Sequence, residues 1–336
     1  MPPLACAVTT GLHDIHASAG PSPGSDPPTG ARAGGTPPRH DAPVGRTPQE
    51  TRAMHIFDTP APIRAVLEIG LGDAWIIAGE RDHTHVGVHP SDPCDPRDVT
   101  TAERTRVEYA HGRLLVMSPR PSGSIGTGGA VTAVIELPAG SSLHGHAAAA
   151  DFRCEGRLGD CRLTSDYGHI RLDSTDALRL TADFGDVTVE RARGPVDIAA
   201  HSGELCVREI DGDAVVRRTR GSTWIGEITG ELCVQASDGP VSVGRAHAAV
   251  EARTGRGDIR IQEAVRGPVL VDTASGEVDI GIAEGAPSHL DATSERGTVY
   301  RSLDTFQATA GAAADAVRVR ARSVSGDIVV RRSALP

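Results

Sequence analysis

The chain has 336 residues, of which 39% are hydrophobic and 23% charged, with a formal net charge of −10. An acidic body repels phosphate, which argues against nucleic acid as a partner, and no apolar run reaches the ~18 residues of a membrane-spanning helix. Aromatics are only 3% against 39 Gly and 23 Pro, which speaks against an ordinary enzyme core and for many short elements joined by tight turns.

Residues 1–53 hold 10 Pro and 7 Gly with almost no aliphatic clustering. Such a composition does not repay the entropy of ordering, so a disordered tail is expected, with Met54 as an alternative translation start. Met1–Thr10 shows no basic stretch ahead of an apolar one, so no secretory signal is expected. Six Cys (6, 94, 154, 161, 206 and 233) without a CxxC pair read as reduced thiols of a cytoplasmic protein. The chain has neither Lys nor Asn, which leaves Gly to occupy most left-handed turn positions.

Residues 54–138 read as an N-terminal β cap or a set of opening coils. Strands are expected at Ile63–Ile69, at Asp73–Ala78 after a Gly turn, and around Val86 and Val88. Ser91–Arg97 is a Pro-rich break, and Ala102–Arg106 has room for one helical turn and no more. Thr105–Tyr109 and Arg113–Met117 form a hairpin about His111-Gly112. Ser122–Gly129 is a Gly/Ser loop without the Lys or following helix of a phosphate loop. Val131–Leu137 is a further strand, closed by Pro138.

A repeat governs residues 139–333. Gly-Asp-Val-Thr-Val starts at Gly185, and kindred units start at Gly203, Gly221, Gly239, Gly257 and Gly276, 18 or 19 residues apart. Backward, the unit appears at Gly168 and Ala150; forward, it returns at Gly297 and Gly326 after longer intervals. A second register lies midway, at Gly159, Asp176, Gly194, Gly212, Gly230, Ala248 and Gly267. In each unit the second and fourth residues after the glycine are apolar and share one face, while the third points outward. Those outward residues are Arg153, Arg171, Thr188, Cys206, Trp224, Ser242, Arg260 and Asp279. A two-stranded coil cannot bury its own apolar side, but a stack of coils can. The fold class is therefore all-β: a β-solenoid with two strands per coil of about 18 residues, a thin Val/Ile/Leu core, and open ends that need caps or self-associate. The Ala-rich insert 304–315 breaks the period as a loop or short helix.

These Ser/Thr-x-Gly-Asp/Glu-aliphatic-x-aliphatic units resemble the DUF4097 β-strand-repeat proteins. So do Phe57–Gly72, the Thr105–Val116 stretch, Ile135–Ser141 and Trp224-Ile-Gly-Glu-Ile-Thr-Gly-Glu-Leu. The resemblance covers roughly 54–333. It implies a bacterial β-repeat fold of adhesin-like type and supplies no catalytic residues.

Candidate sites follow from the same frame. Acids after the glycine (Asp186, Glu204, Asp213, Glu231, Asp258, Glu277 and Asp327) evoke a calcium β-roll, but Ser222, Pro240 and Thr298 interrupt one column and Pro195, Ala249 and Pro268 the other. The simpler reading is that they accept backbone hydrogen bonds in turns. A carbohydrate-active β-helix enzyme would gather carboxylates on one face, and no column carries three in succession. His83, His85 and His89, and His144 and His146, are expected as solvated loop residues. Cys154 and Cys161 fall inward as small core residues, while Cys206 and Cys233 fall outward as exposed thiols. Trp224 is the expected interface anchor, and Trp224, Cys206 and Cys233 make up the candidate interaction surface. The expectation is a non-enzymatic scaffold for a protein or polymer partner, with no metal and no cofactor.

Overall fold

The computed structural model describes residues 54–119, 128–302 and 316–333. The expected tail 1–53, most of the Gly/Ser loop and the insert 304–315 lie outside the described residues.

Before the repeat come β1 (Met54–Asp58), β2 (Arg64–Gly79), β3 (His83–Pro90), α1 (Pro96–Arg104), β4 (Arg106–Ala110), β5 (Arg113–Met117) and β6 (Val131–Pro138). The repeat opens with the long β7 (Ser142–Arg157), then β8 (Cys161–Tyr167), β9 (Ile170–Thr175), β10 (Leu178–Phe184), β11 (Val187–Ala192), β12 (Val196–Ser202) and β13 (Leu205–Ile210). It continues with β14 (Ala214–Arg220), β15 (Thr223–Ile228), β16 (Leu232–Asp238), β17 (Val241–Ala246), β18 (Val250–Arg256) and β19 (Ile259–Ala264). The last strands are β20 (Gly267–Ser275), β21 (Val278–Ile282), β22 (Ser288–Arg296), β23 (Val299–Ser302), β24 (Val317–Ser325) and β25 (Ile328–Arg332).

From β8 to β19 each strand pairs in parallel with the strand two ahead of it, so even-numbered strands build one face and odd-numbered strands the other. The register follows the repeat. Val187 pairs with Leu205, Leu205 with Thr223, Thr223 with Val241, and Val241 with Ile259. All five side chains are buried, in one continuous interior row. Thr223 is the polar member, and its Oγ1 is buried without a hydrogen-bond partner.

The corner between the faces explains the glycine. At Gly203, φ is +120°, a left-handed conformation, and a Cβ built there would lie 2.2 Å from the carbonyl oxygen of Gly185 one coil below. Backbone rests directly on backbone, and only a residue without a side chain fits. The aspartates beside these glycines cap the next coil. Asp186 accepts from the Glu204 N–H, Asp213 from Glu231, and Asp258 from Glu277, each at 2.8 Å. Where the column is broken by Pro195, Pro240 or Pro268, the incoming residue has no N–H to cap.

At both ends stacking order departs from chain order. The two halves of β2 form one coil that bends at Gly72; β5 and β6 lie on one side of it and β7 on the other. At the far end β24 lies between β20 and β22, and β25 between β21 and β23. Gly326 sits on Gly276, and Gly297 sits on Gly326, although Gly297 precedes it in sequence. Asp327 accordingly accepts from the Thr298 N–H at 2.8 Å. The segment 54–138 thus supplies two full coils, and beyond them β4 adds to β5, β3 to β6 and β1 to β3, all antiparallel.

The hairpin at His111-Gly112 is present, with φ of 52° and 73° at its two turn residues. The helix differs from expectation. It runs nine residues from Pro96, inside the segment read as a Pro-rich break. Asp95 is its N-cap, accepting from the Arg97 N–H at 2.8 Å, and Pro96 occupies the first helical position, where its missing N–H costs nothing.

Two substitutions test this packing. Gly203→Ala is expected to lower unfolding free energy by about 2–4 kcal/mol, whereas Gly112→Ala, with nothing within 4 Å of its Cβ, costs about 1–2 kcal/mol from φ alone. Thr223→Val removes an orphaned hydroxyl at constant shape and is expected to raise stability by about 1 kcal/mol. Urea-denaturation midpoints check all three.

Candidate functional site

The second residue of each odd-numbered strand of the repeat, third after the turn glycine, forms an outer row that climbs the solenoid. Trp224 stands in it between Cys206 and Ser242, paired in register with both. It is 40% exposed and points outward as expected. Two residues further along the strand, Gly226 also occupies an outward position, and a Cβ there would come within 2.9 Å of Trp224 Cη2. Next to Gly226 lies Gly244, whose Cβ would meet the Gly226 carbonyl oxygen at 2.3 Å. The indole therefore stands beside a shelf of bare backbone and presents apolar surface to solvent.

The two outward cysteines differ. Cys206 is half-buried, and burial together with Glu190 and Glu204 raises its pKa above the usual thiol value. Cys233 is not an exposed thiol: it is 8% exposed, packed in register between Val215 and Glu251. Its backbone position is outward, but a short side chain between longer neighbours on a closely stacked face is covered by them. Cys154 and Cys161 are buried core residues, and burial pushes Cys161 up to about 11.

Trp75 belongs with Trp224. It is 47% exposed, lies in the same outward row, and carries the Arg153 guanidinium 5.8 Å from its ring centroid. The signal was present: Gly72-Asp-Ala-Trp-Ile has the repeat unit, but at a distance the period does not reach.

On the even-numbered face a groove of about 350 Å³ is lined by Thr181, Asp183, Ala199, His201, Arg217 and Gln235, among others. Beside it Tyr167 and Phe184 stack at 5.0 Å, with His201 edge-on to Phe184. Beneath lies Arg218, an inward residue that is 5% exposed and donates to the carbonyls of Gly203 and Arg220. Its burial draws the guanidinium pKa below the ordinary value.

Several outward acids are paired with arginines. Asp197 faces Arg179 and Arg217, Asp279 faces Arg260 and Arg331, and Glu190 faces Arg208. The histidines lie on strands rather than in loops. His83, His85 and His89 are in β3, with His85 3.4 Å from Glu136; His144 and His146 are in β7. Arg64 donates to His144 at 3.0 Å, and burial with Arg64, Arg162 and Arg113 lowers its pKa. Among the described residues no group of three His, Cys, Asp or Glu is placed to hold a metal ion, and no helix is long and apolar enough to cross a membrane.

Thiol chemistry reads this arrangement out directly. With iodoacetamide at pH 8, among the cysteines of the described residues Cys94 is expected to react first and Cys206 more slowly, its rate still climbing beyond the ordinary thiol range because its thiolate forms late. Cys154, Cys161 and Cys233 are expected to react only on unfolding, as peptide mass spectrometry will show.

Comparison with solved structures finds an 11% identical "putative adhesin" from Parabacteroides merdae ATCC 43184, with a TM-score of 0.38, covering 68% of this chain and 96% of that one. A "putative adhesin" from Bacteroides fragilis NCTC 9343 is 12% identical, with a TM-score of 0.34 and coverage of 69% and 100%. A "putative lipid binding protein" from Parabacteroides distasonis ATCC 8503 is also 12% identical, with a TM-score of 0.32 and coverage of 84% and 97%. No curated protein matches. The family description Toastrack DUF4097 matches residues 73–331, well over half of the sequence, and the chain belongs to that family.

Proposed function

We propose that this protein is a non-enzymatic scaffold whose outer row binds a protein or polymer partner through Trp224. The observation that carries the reading is an exposed indole beside the bare shelf of Gly226 and Gly244, on a body whose neighbouring outward positions are polar or charged. A large rigid aromatic on a flat, desolvatable surface is the usual form of an interface anchor. The pairing of outward carboxylates with arginines supports a binding role over a glycosidase-like one, which needs two unencumbered carboxylates facing one bond. The net charge of −10 supports a partner other than nucleic acid. A cytoplasmic location, argued from sparse cysteines, belongs to the same proposal.

Affinity capture with the full chain, followed by titration of each captured protein or glycan, tests it. Trp224→Ala is expected to weaken the specific partner by about thirtyfold, the scale of an anchor residue, while the unfolding free energy shifts by less than about 0.5 kcal/mol. A partner bound equally by wild type and Trp224→Ala would overturn the assignment of this face.

A further inference from the structure

The two ends of the solenoid are finished differently. At the N-terminal end the outermost coil, β5 and β6, is covered by β4 and β3, with β1 beyond. At the other end the outermost strand of the even-numbered face is β22, which pairs with β24 on one edge and, among the described residues, with no strand on the other. Nine residues of strand end the sheet there, with Leu290 and Ala292 half-buried at the end of the core. An open edge of this length is a template for another strand.

Its amide groups are set by the pairing already made. The Pro287 carbonyl accepts from the Val317 N–H, and Ser288 is in register with Val317. In a parallel ladder alternate residues serve alternate neighbours. Residues 289, 291 and 293 therefore bond toward β24, and 288, 290, 292 and 294 aim their N–H and C=O groups at the open edge.

We infer that β22 pairs antiparallel with β22 of a second copy about a twofold axis at Ala292, forming a tail-to-tail dimer. In this register Ala292 faces Ala292 of the second copy, Leu290 faces Ser294, and Ser288 faces Arg296, so every edge-directed amide pair from 288 to 294 meets a partner. On the outer surface His289 meets Glu295 twice, and Asp291 meets Thr293. Moving the axis to Asp291 opposes two aspartates, and moving it to Thr293 sets Asp291 against Glu295; both oppose like charges. Asp291 has its own cation in Arg320 of β24, 3.8 Å away. A twofold contact of this kind closes on itself and stops at two copies. It is independent of the Trp224 row and of the partner proposed for it.

Sedimentation velocity on the full chain, with no partner present, tests this. A dimer is expected. Ala292→Pro removes an edge-directed N–H without touching the bonds to β24, and is expected to weaken the dimer by at least about tenfold. His289→Glu sets two glutamates opposite each other at both symmetry-related sites and is expected to weaken it by about tenfold, while adding Glu295→Arg to that variant restores it. Circular dichroism confirms that each variant is folded. A monomer throughout the micromolar range, which is the outcome if another part of the chain covers this edge, overturns the inference. A dimer that neither Ala292→Pro nor His289→Glu weakens overturns it equally.

Discussion

Successive coils approach most closely at the corner, where the carbonyl of one turn glycine lies against the bare α-carbon of the next. Much else in the molecule depends on that contact. It allows the coils to sit at strand spacing, which brings Val187, Leu205, Val241 and Ile259 into one column and lets each parallel ladder run without interruption. It also leaves the N–H after the glycine short of an intracoil partner, and the neighbouring aspartate of the coil below supplies the acceptor. Glycine and aspartate are thus two halves of one joint. The acidic columns that suggest calcium are the visible part of a backbone-capping scheme.

The repeat was legible because its chemistry is local. Each unit declares a turn, an inward pair and an outward residue within five positions, and the register follows from adding such units. What lay beyond reading was the choice between equivalent units. Gly297 and Gly326 head the same motif, and nothing in either segment ranks one above the other as the tier to follow Gly276. The helix was missed for a different reason. Pro96 reads locally as a break, yet an aspartate directly before a proline is also how a helix begins. Trp75 escaped because its unit lies outside the period, and the cover over Cys233 is a property of neighbouring strands rather than of its own.

Outside the core, the surface is organised by the same vertical register. Residues 18 or so positions apart become lateral neighbours, so Arg179, Asp197 and Arg217 form a short ladder of alternating charge, and Arg260, Asp279 and Arg331 another. Exposed pairs of this kind contribute little stability individually. Their larger effect is to neutralise these acids in place; on the odd-numbered face Trp224, Trp75 and Tyr300 are exposed large apolar side chains.

The interleaving of the final strands has a mechanical consequence. A solenoid wound strictly in chain order yields to tension by shedding its last coil, one hydrogen bond at a time. Here β24 and β25 are gripped along both edges, by β20 and β21 on one side and β22 and β23 on the other. A pull on the carboxyl end must slide them lengthwise against two neighbours at once, breaking many bonds together. At the amino end the same grip awaits beyond β1, where β2 is clasped between the coil of β5 and β6 and the strand β7. The solenoid is thereby built to resist unravelling under load applied at either of its ends.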